Sequence, residues 1–160
     1  MSDAAEFSAE GGCTCRAVRY RLMRSPLIVH CCHCRWCQRE TGSAFALNAL
    51  IESAQLQLLS GYPQLVPIPS QSGKGQRIAR CPACRVAVWS HYGGAGDAVS
   101  FVRVGTLDEP DGFPPDVHIY TESQQPWVVI PAGARAFKQY YKSAEVWSAA
   151  SLARRKAVLG

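Results

Sequence analysis

Cys31-Cys32-His33-Cys34-Arg35-Trp36-Cys37 sets four thiols within seven residues, and its reading decides what kind of domain this chain makes. Thiols one and two residues apart close loops too short for unstrained disulfides, whereas a metal ion accepts such spacing. Two further groups flank it, Cys13-Thr14-Cys15 before and Cys81-Pro82-Ala83-Cys84 after. In the first, the i, i+2 relation puts both side chains on one face of an extended backbone. The second is a knuckle that offers two thiolates from a tight turn. Neither pair suffices alone. Joined, Cys13, Cys15, Cys81 and Cys84 give a closed site with zinc–sulfur distances of about 2.3 Å, which staples the start of the chain to its middle. Cys32, Cys34 and Cys37 then converge on a second ion and leave one corner of its tetrahedron vacant. The expectation is two zinc ions per chain. Other pairings of the eight cysteines stay open on spacing alone, as do iron in place of zinc and closure of the second site by His30 or His33. Cys31 is left over. On a strand it points away from Cys32 and reads as a buried free thiol.

Outward from the cysteines, the composition is that of an ordinary globular domain: 160 residues, 48% hydrophobic and 18% charged. The opening MSDAAEFSAE is acidic and polar, without the apolar run of a signal peptide, and no stretch has the length of a bilayer span. Clustered thiols survive as metal ligands in a reducing compartment, so a cytoplasmic location is expected. The net charge is +5, and part of the excess lies in Arg154, Arg155 and Lys156 near the end of the chain. Cations suit a helix C-terminus, and no basic stripe interleaves with aromatics, so this charge reads as solvated and not as a nucleic-acid surface.

Short alternating runs predict a mainly β fold. Val18, Tyr20 and Leu22 form one; Phe45, Leu47, Ala49 and Ile51 another, continued by Leu56 and Leu58. Val86 and Val88, then Val99, Phe101, Val102 and Val104, give two strands split by the turn around Gly93-Gly94, and Val117 to Tyr120 gives a short one. Arg35 to Thr41 predicts one helical turn ending near Gly42. Only the tail, about 144–158, has sustained helical spacing, with Ser143 as its N-cap. The expected organisation is a tail over 1–10, a zinc-binding domain over 11–143 and a C-terminal helix over 144–160.

A zinc held by three thiolates is a weak Lewis acid whose preferred fourth ligand is soft. A substrate thiol fits, and coordination favours its nucleophilic thiolate form. Addition of that sulfur to an aldehyde carbon, or the reverse, is the natural reaction. The competing readings are a binding module in which both zincs are structural, and a redox role in which the thiols cycle to disulfides.

The motifs resemble a known family. Gly11-Gly12-Cys13-Thr14-Cys15-Arg16-Ala17-Val18-Arg19-Tyr20, the run Cys32 to Phe45, Cys81-Pro82-Ala83-Cys84, Gly105-Thr106-Leu107-Asp108 and Pro115-Asp116-Val117-His118-Ile119-Tyr120 are similar to the glutathione-dependent formaldehyde-activating family, which includes the centromere protein V domain. The resemblance covers roughly residues 11 to 127. It implies a zinc-stabilised β-tent, a structural zinc on Cys13, Cys15, Cys81 and Cys84, and a second zinc on Cys32, Cys34 and Cys37 beside the substrate pocket. It further implies a carbon–sulfur lyase whose partners are a small glutathione-like thiol and an aldehyde. Arg35 and Arg39 are then candidates to bind the thiol's carboxylates, competing with plain surface exposure. Trp36 reads as a core aromatic or as a pocket wall. Glu40 and His118 read as structural hydrogen-bonding groups before proton carriers, His33 as facing away from the metal, and Asp108 as a turn residue. Two departures stand out: Cys31 is an additional thiol, and Arg85 replaces the usual glycine after the knuckle, which requires a backbone there that avoids positive φ.

Overall fold

In the computed structural model, which describes residues 6–160, the chain starts with strands β1 (Ala9–Gly12), β2 (Arg19–Leu22) and β3 (Ile28–Cys32). Helix α1 (Arg35–Thr41) follows, and then β4 (Ala46–Glu52), β5 (Leu56–Ser60), β6 (Gln64–Ile68), β7 (Gln76–Arg80), β8 (Ala87–Tyr92), β9 (Val99–Arg103) and β10 (Val117–Ile119). Two helices end the chain, α2 (Ser143–Val146) and α3 (Ala149–Leu159). The strands build a small sheet in the order β1-β2-β5 and a large one in the order β10-β3-β4-β9-β8-β7-β6. All neighbours are antiparallel except β10, which lies parallel to β3. The mainly β expectation holds.

Every residue of β3 is buried, because both faces of the large sheet are covered at this point. On one face, Val29, Ala49, Ile51 and Val102 meet Tyr20 and Leu22 of the small sheet. Tyr20 is fully buried, stands edge-on to Trp89 at 5.8 Å, and its hydroxyl bonds to Thr106 Oγ1 at 2.7 Å. On the other face, Ile28, Cys32, Leu50 and Ile119 pack with Tyr141, Val146 and Trp147 of the C-terminal segment. The outer edge of β10 is covered as well: His118 N–H donates to the Arg135 carbonyl and the Phe137 N–H donates to that of His118.

Helix α1 occupies the predicted residues. Cys34 is its N-cap, accepting from the Cys37 N–H at 3.3 Å, and Gly42 ends it in the left-handed region at φ 65°. The tail differs from its expectation. Instead of one helix capped by Ser143, the chain breaks at Trp147 and Ser148, and Ser148 caps α3 through the Ser151 N–H at 3.0 Å. Trp147 is extended there, buried, with its indole N–H bonded to the Tyr141 hydroxyl at 2.7 Å, so anchoring the indole interrupts the helical path. The tail expected over 1–10 also shortens, since Ala9 and Glu10 pair with Leu22 and Arg21 in the small sheet; residues 1–5 lie outside the described ones.

The charge at the end of the chain is not simply solvated. Arg154 forms a two-pronged pair with Glu52, Nε to Oε1 at 2.7 Å and Nη2 to Oε2 at 2.6 Å, and both side chains are largely buried. Burial would raise the Glu52 carboxyl, but the hydrogen bonds and charge of Arg154 hold it below the usual range. A depressed carboxyl adds stability that is present at neutral pH and disappears as pH falls through its folded-state value. Arg154→Leu is therefore expected to lower unfolding free energy at pH 7 by about 3 kcal/mol, by stranding a buried carboxylate. The deficit should shrink in acid, which urea titrations at two pH values will read. Arg85, against expectation, does sit at positive φ, 68°. Its turn closes through the Arg85 N–H to the Cys81 carbonyl, and that bond holds the left-handed conformation. Relief of this strain predicts that Arg85→Gly raises stability by up to about 1 kcal/mol while Arg85→Ala gains nothing, measured by denaturant midpoint.

Candidate metal centres and active site

Two chain reversals of the same design bring the first cysteine group together. After β1, Cys13 and Cys15 lead into Arg16 at φ 65°; after β7, Cys81 and Cys84 lead into Arg85. Backbone bonds close each turn, Cys13 N–H to Val18 O at 3.1 Å and Cys81 N–H to Val86 O at 3.0 Å. The four sulfurs lie within 4.8 Å of one another, with Cys13–Cys15 at 3.5 Å and Cys15–Cys81 at 3.6 Å. Tetrahedral zinc with about 2.3 Å bonds to sulfur needs sulfur–sulfur edges of about 3.8 Å, so this donor set fits the ion. Backbone N–H groups of Cys15 and Val86 hold the Cys84 thiol down to about 6, favouring the thiolate that a metal requires. Gly11 keeps the approach open: a Cβ there would lie 2.5 Å from the Thr106 carbonyl oxygen and 2.6 Å from the Tyr20 hydroxyl.

The second group forms at the end of β3. Cys32 is the last strand residue, Cys34 the cap of α1 and Cys37 a member of its first turn, so strand exit and helix start aim three sulfurs at one point, all within 4.8 Å. All three are buried. The thiols of Cys32 and Cys37, with the backbone N–H groups of Cys37 and Trp36, pull Cys34 down to about 3, whereas hydrogen bonding with Cys34 and Cys37, together with burial, pushes Cys32 well up. Among the described residues no fourth cysteine, histidine or carboxylate joins this trio. His30 Nε2 is bonded instead to the Tyr141 hydroxyl at 2.5 Å, which in turn accepts from the Trp147 indole, and burial lowers the imidazole to about 3. His33 leaves the opposite face of the strand. The donor set fits a zinc ion with three protein ligands.

A cavity of about 390 Å³ opens on this trio, walled by Trp36, Phe101, Tyr120, Tyr140 and Trp147, with Lys74 and Arg155 among its lining residues and, among the described residues, no acidic side chain. Trp36 is 42% exposed, so it is a wall of this cavity and not a core residue. Arg35 and Arg39 do not face it. They border a separate depression with Gln125 and Trp127, and Arg35 donates to Gln38 Oε1 at 2.8 Å. A helix turns 100° per residue, so residues two positions either side of the inward-facing Cys37 are carried round to the outside. Lys74 and Arg155 carry no local signal as cavity residues, because they come from distant parts of the chain. Nor does Gln38, whose buried amide donates to the carbonyls of His33 and Ser123 at 2.8 and 2.9 Å and so ties α1 to the segment after β10.

The remaining candidates are engaged with neighbouring side chains. Glu40 pairs with Arg80. Asp108 takes both Arg19 Nη groups and is more than a turn residue. His33 faces away from the trio, as expected, but Cys31 is not an isolated thiol: its sulfur lies 3.5 Å from His33 Nε2, which lies 3.0 Å from His118 Nδ1.

The profile of the family described as "Glutathione-dependent formaldehyde-activating enzyme" matches residues 8–123, a span that holds both cysteine centres. The chain belongs to this family. No curated protein sequence matches it. Of solved structures, a Rhodobacter sphaeroides protein is 19% identical, with 62% of this chain and 87% of that one covered, at a TM-score of 0.46. No helix among the described residues of this family member is long and apolar enough to cross a membrane. For the four-cysteine centre, which joins the two sheets' connections, metal loss should be a folding defect. Cys81→Ser is expected to lower the thermal midpoint by about 10 °C and to remove one zinc per chain, as calorimetry and elemental analysis will report.

Proposed function

We propose that this protein is a cytoplasmic carbon–sulfur lyase that makes or breaks a thiol–aldehyde adduct of the S-hydroxymethylglutathione type. The supporting observation is the juxtaposition of an unclosed trio, Cys32, Cys34 and Cys37, with a cavity whose lining is aromatic and cationic but not acidic. The two all-sulfur donor sets support one zinc ion each, a structural one on Cys13, Cys15, Cys81 and Cys84 and the other on the trio. At the trio, a bound zinc supplies an acceptor that favours the thiolate form of a substrate thiol.

The chain's own residues do the rest. Lys74 and Arg155 present cations at the cavity to the carboxylates of a glutathione-like thiol, the role the sequence assigned to Arg35 and Arg39. Trp36 and Trp147 flank the space where the thiol-bearing arm lies, and their apolar faces displace water from the aldehyde carbon. His30, neutral and bonded through Nε2 to Tyr141, holds the cavity wall without competing for the trio. In the synthetic direction a carbon–sulfur bond forms, the carbonyl π pair moves to oxygen, and the thiol's proton is delivered to that oxygen through solvent. Collapse of the adduct reverses each step.

Exchange NMR on glutathione and formaldehyde tests this. The zinc-loaded protein is expected to accelerate interconversion with the adduct, and no acceleration would refute this substrate pair. Cys34→Ser, which keeps a good helix cap, should stay folded and lose the acceleration. Arg155→Ala should raise KM for the thiol about fivefold, or ~1 kcal/mol, with little change in kcat.

A further inference from the structure

Strand β3 carries a second convergent donor set on the face away from the cavity. The pleat that sends Cys32 one way sends Cys31 the other, and His33, two residues on from Cys31, follows it. In the parallel pairing of β10 with β3, His118 is the direct partner of Cys31. Three side chains from two adjacent strands therefore meet, with Cys31 Sγ 3.5 Å from His33 Nε2 and His33 Nε2 3.0 Å from His118 Nδ1. The three donor atoms lie within 4.8 Å of one another, as in the two cysteine centres, and all three residues are buried.

We propose that Cys31, His33 and His118 form a third metal site, for a borderline-soft divalent ion such as zinc. It goes beyond the lyase reading and does not depend on it. Thiolate and imidazole are both zinc ligands, and ligand bonds of about 2.0–2.3 Å place neighbouring donors about 3.3–3.8 Å apart. The observed separations sit near this range, and the sulfurs of the four-cysteine centre show the same spacing, 3.5 and 3.6 Å. Hydrogen bonding alone accounts poorly for the arrangement. A single hydrogen serves the pair of facing ring nitrogens, and among the described residues the thiol makes no hydrogen bond to a carboxylate or carbonyl. Nothing steers the His33 ring from its other edge either, since Nδ1 is buried without a partner. An ion here would carry a net single positive charge, across one strand from a three-thiolate centre of net single negative charge. It would also clamp the three-residue strand β10, whose last residue Ile119 and the following Tyr120 line the cavity.

The other two centres contain only sulfur donors, which gives this one a distinct signature. Protein produced with zinc supplementation is expected to hold three zinc per chain by elemental analysis, and its zinc-edge X-ray absorption should show imidazole scattering. Cys31→Ser and His118→Ala should each reduce the count to two and remove the imidazole signal, while Cys34→Ser reduces the count yet leaves that signal. Two zinc per chain in the wild type with no imidazole scattering would overturn the site, as would an unchanged count in both Cys31→Ser and His118→Ala. Since activity is not the readout, failure of the lyase reading leaves this result standing, and the reverse holds too.

Discussion

The pleat of β3 is the constraint from which the rest follows. A strand alternates its side chains, so a run of five residues closed on both faces can serve two unlike environments only by strict parity. Ile28, His30 and Cys32 project into the C-terminal core and cavity, and Val29 and Cys31 project toward the other side. A one-residue slip against β4 would exchange the two sets, moving Cys32 away from Cys34 and Cys37. Register here is therefore chemistry as well as packing. It is fixed by five consecutive Cα pairings, Ile28 with Leu50 through Cys32 with Ala46.

The two thiolate centres use the backbone differently. In the four-cysteine centre, turns with a left-handed residue after each pair bring N–H groups round to the sulfurs, and the ligands come from connections 66 residues apart. Such a centre compensates for loop-closure entropy that a small three-stranded sheet cannot offset by itself. The trio needs only six residues, because strand exit and helix cap already converge. Its long-range neighbours are instead the cavity walls, gathered from β3, the loop before β7, β9, β10 and the C-terminal helices. That division suits a folding role for one ion and a role toward ligands for the other.

Much of this was legible before any coordinates. The grouping of the cysteines, the span of α1 and the strands after the knuckle follow from local spacing. What escaped the sequence has physical causes. β6, Gln64 to Ile68, contains Pro67 and has no fully buried position because it is the edge of the large sheet, so it lacks the expected alternation. β3 shows no period because both its faces are buried. Arg35 and Arg39 were placed by proximity to the trio, whereas helix geometry turns them outward and leaves the cavity's cations to Lys74 and Arg155. Cys31 looked solitary, since its partners are two residues ahead and 87 ahead, the latter brought in by a parallel pairing that no local pattern encodes.

The central claim is that the Cys32, Cys34 and Cys37 centre accepts a fourth sulfur from outside the chain. Cobalt-substituted protein reports this directly, because the thiolate-to-cobalt absorption grows with each sulfur bound. Titration with glutathione is predicted to add the intensity of one thiolate per chain, and Cys34→Ser to abolish the increment. A spectrum indifferent to saturating glutathione would contradict the account, since the corner left open by the three cysteines would then not take a thiol.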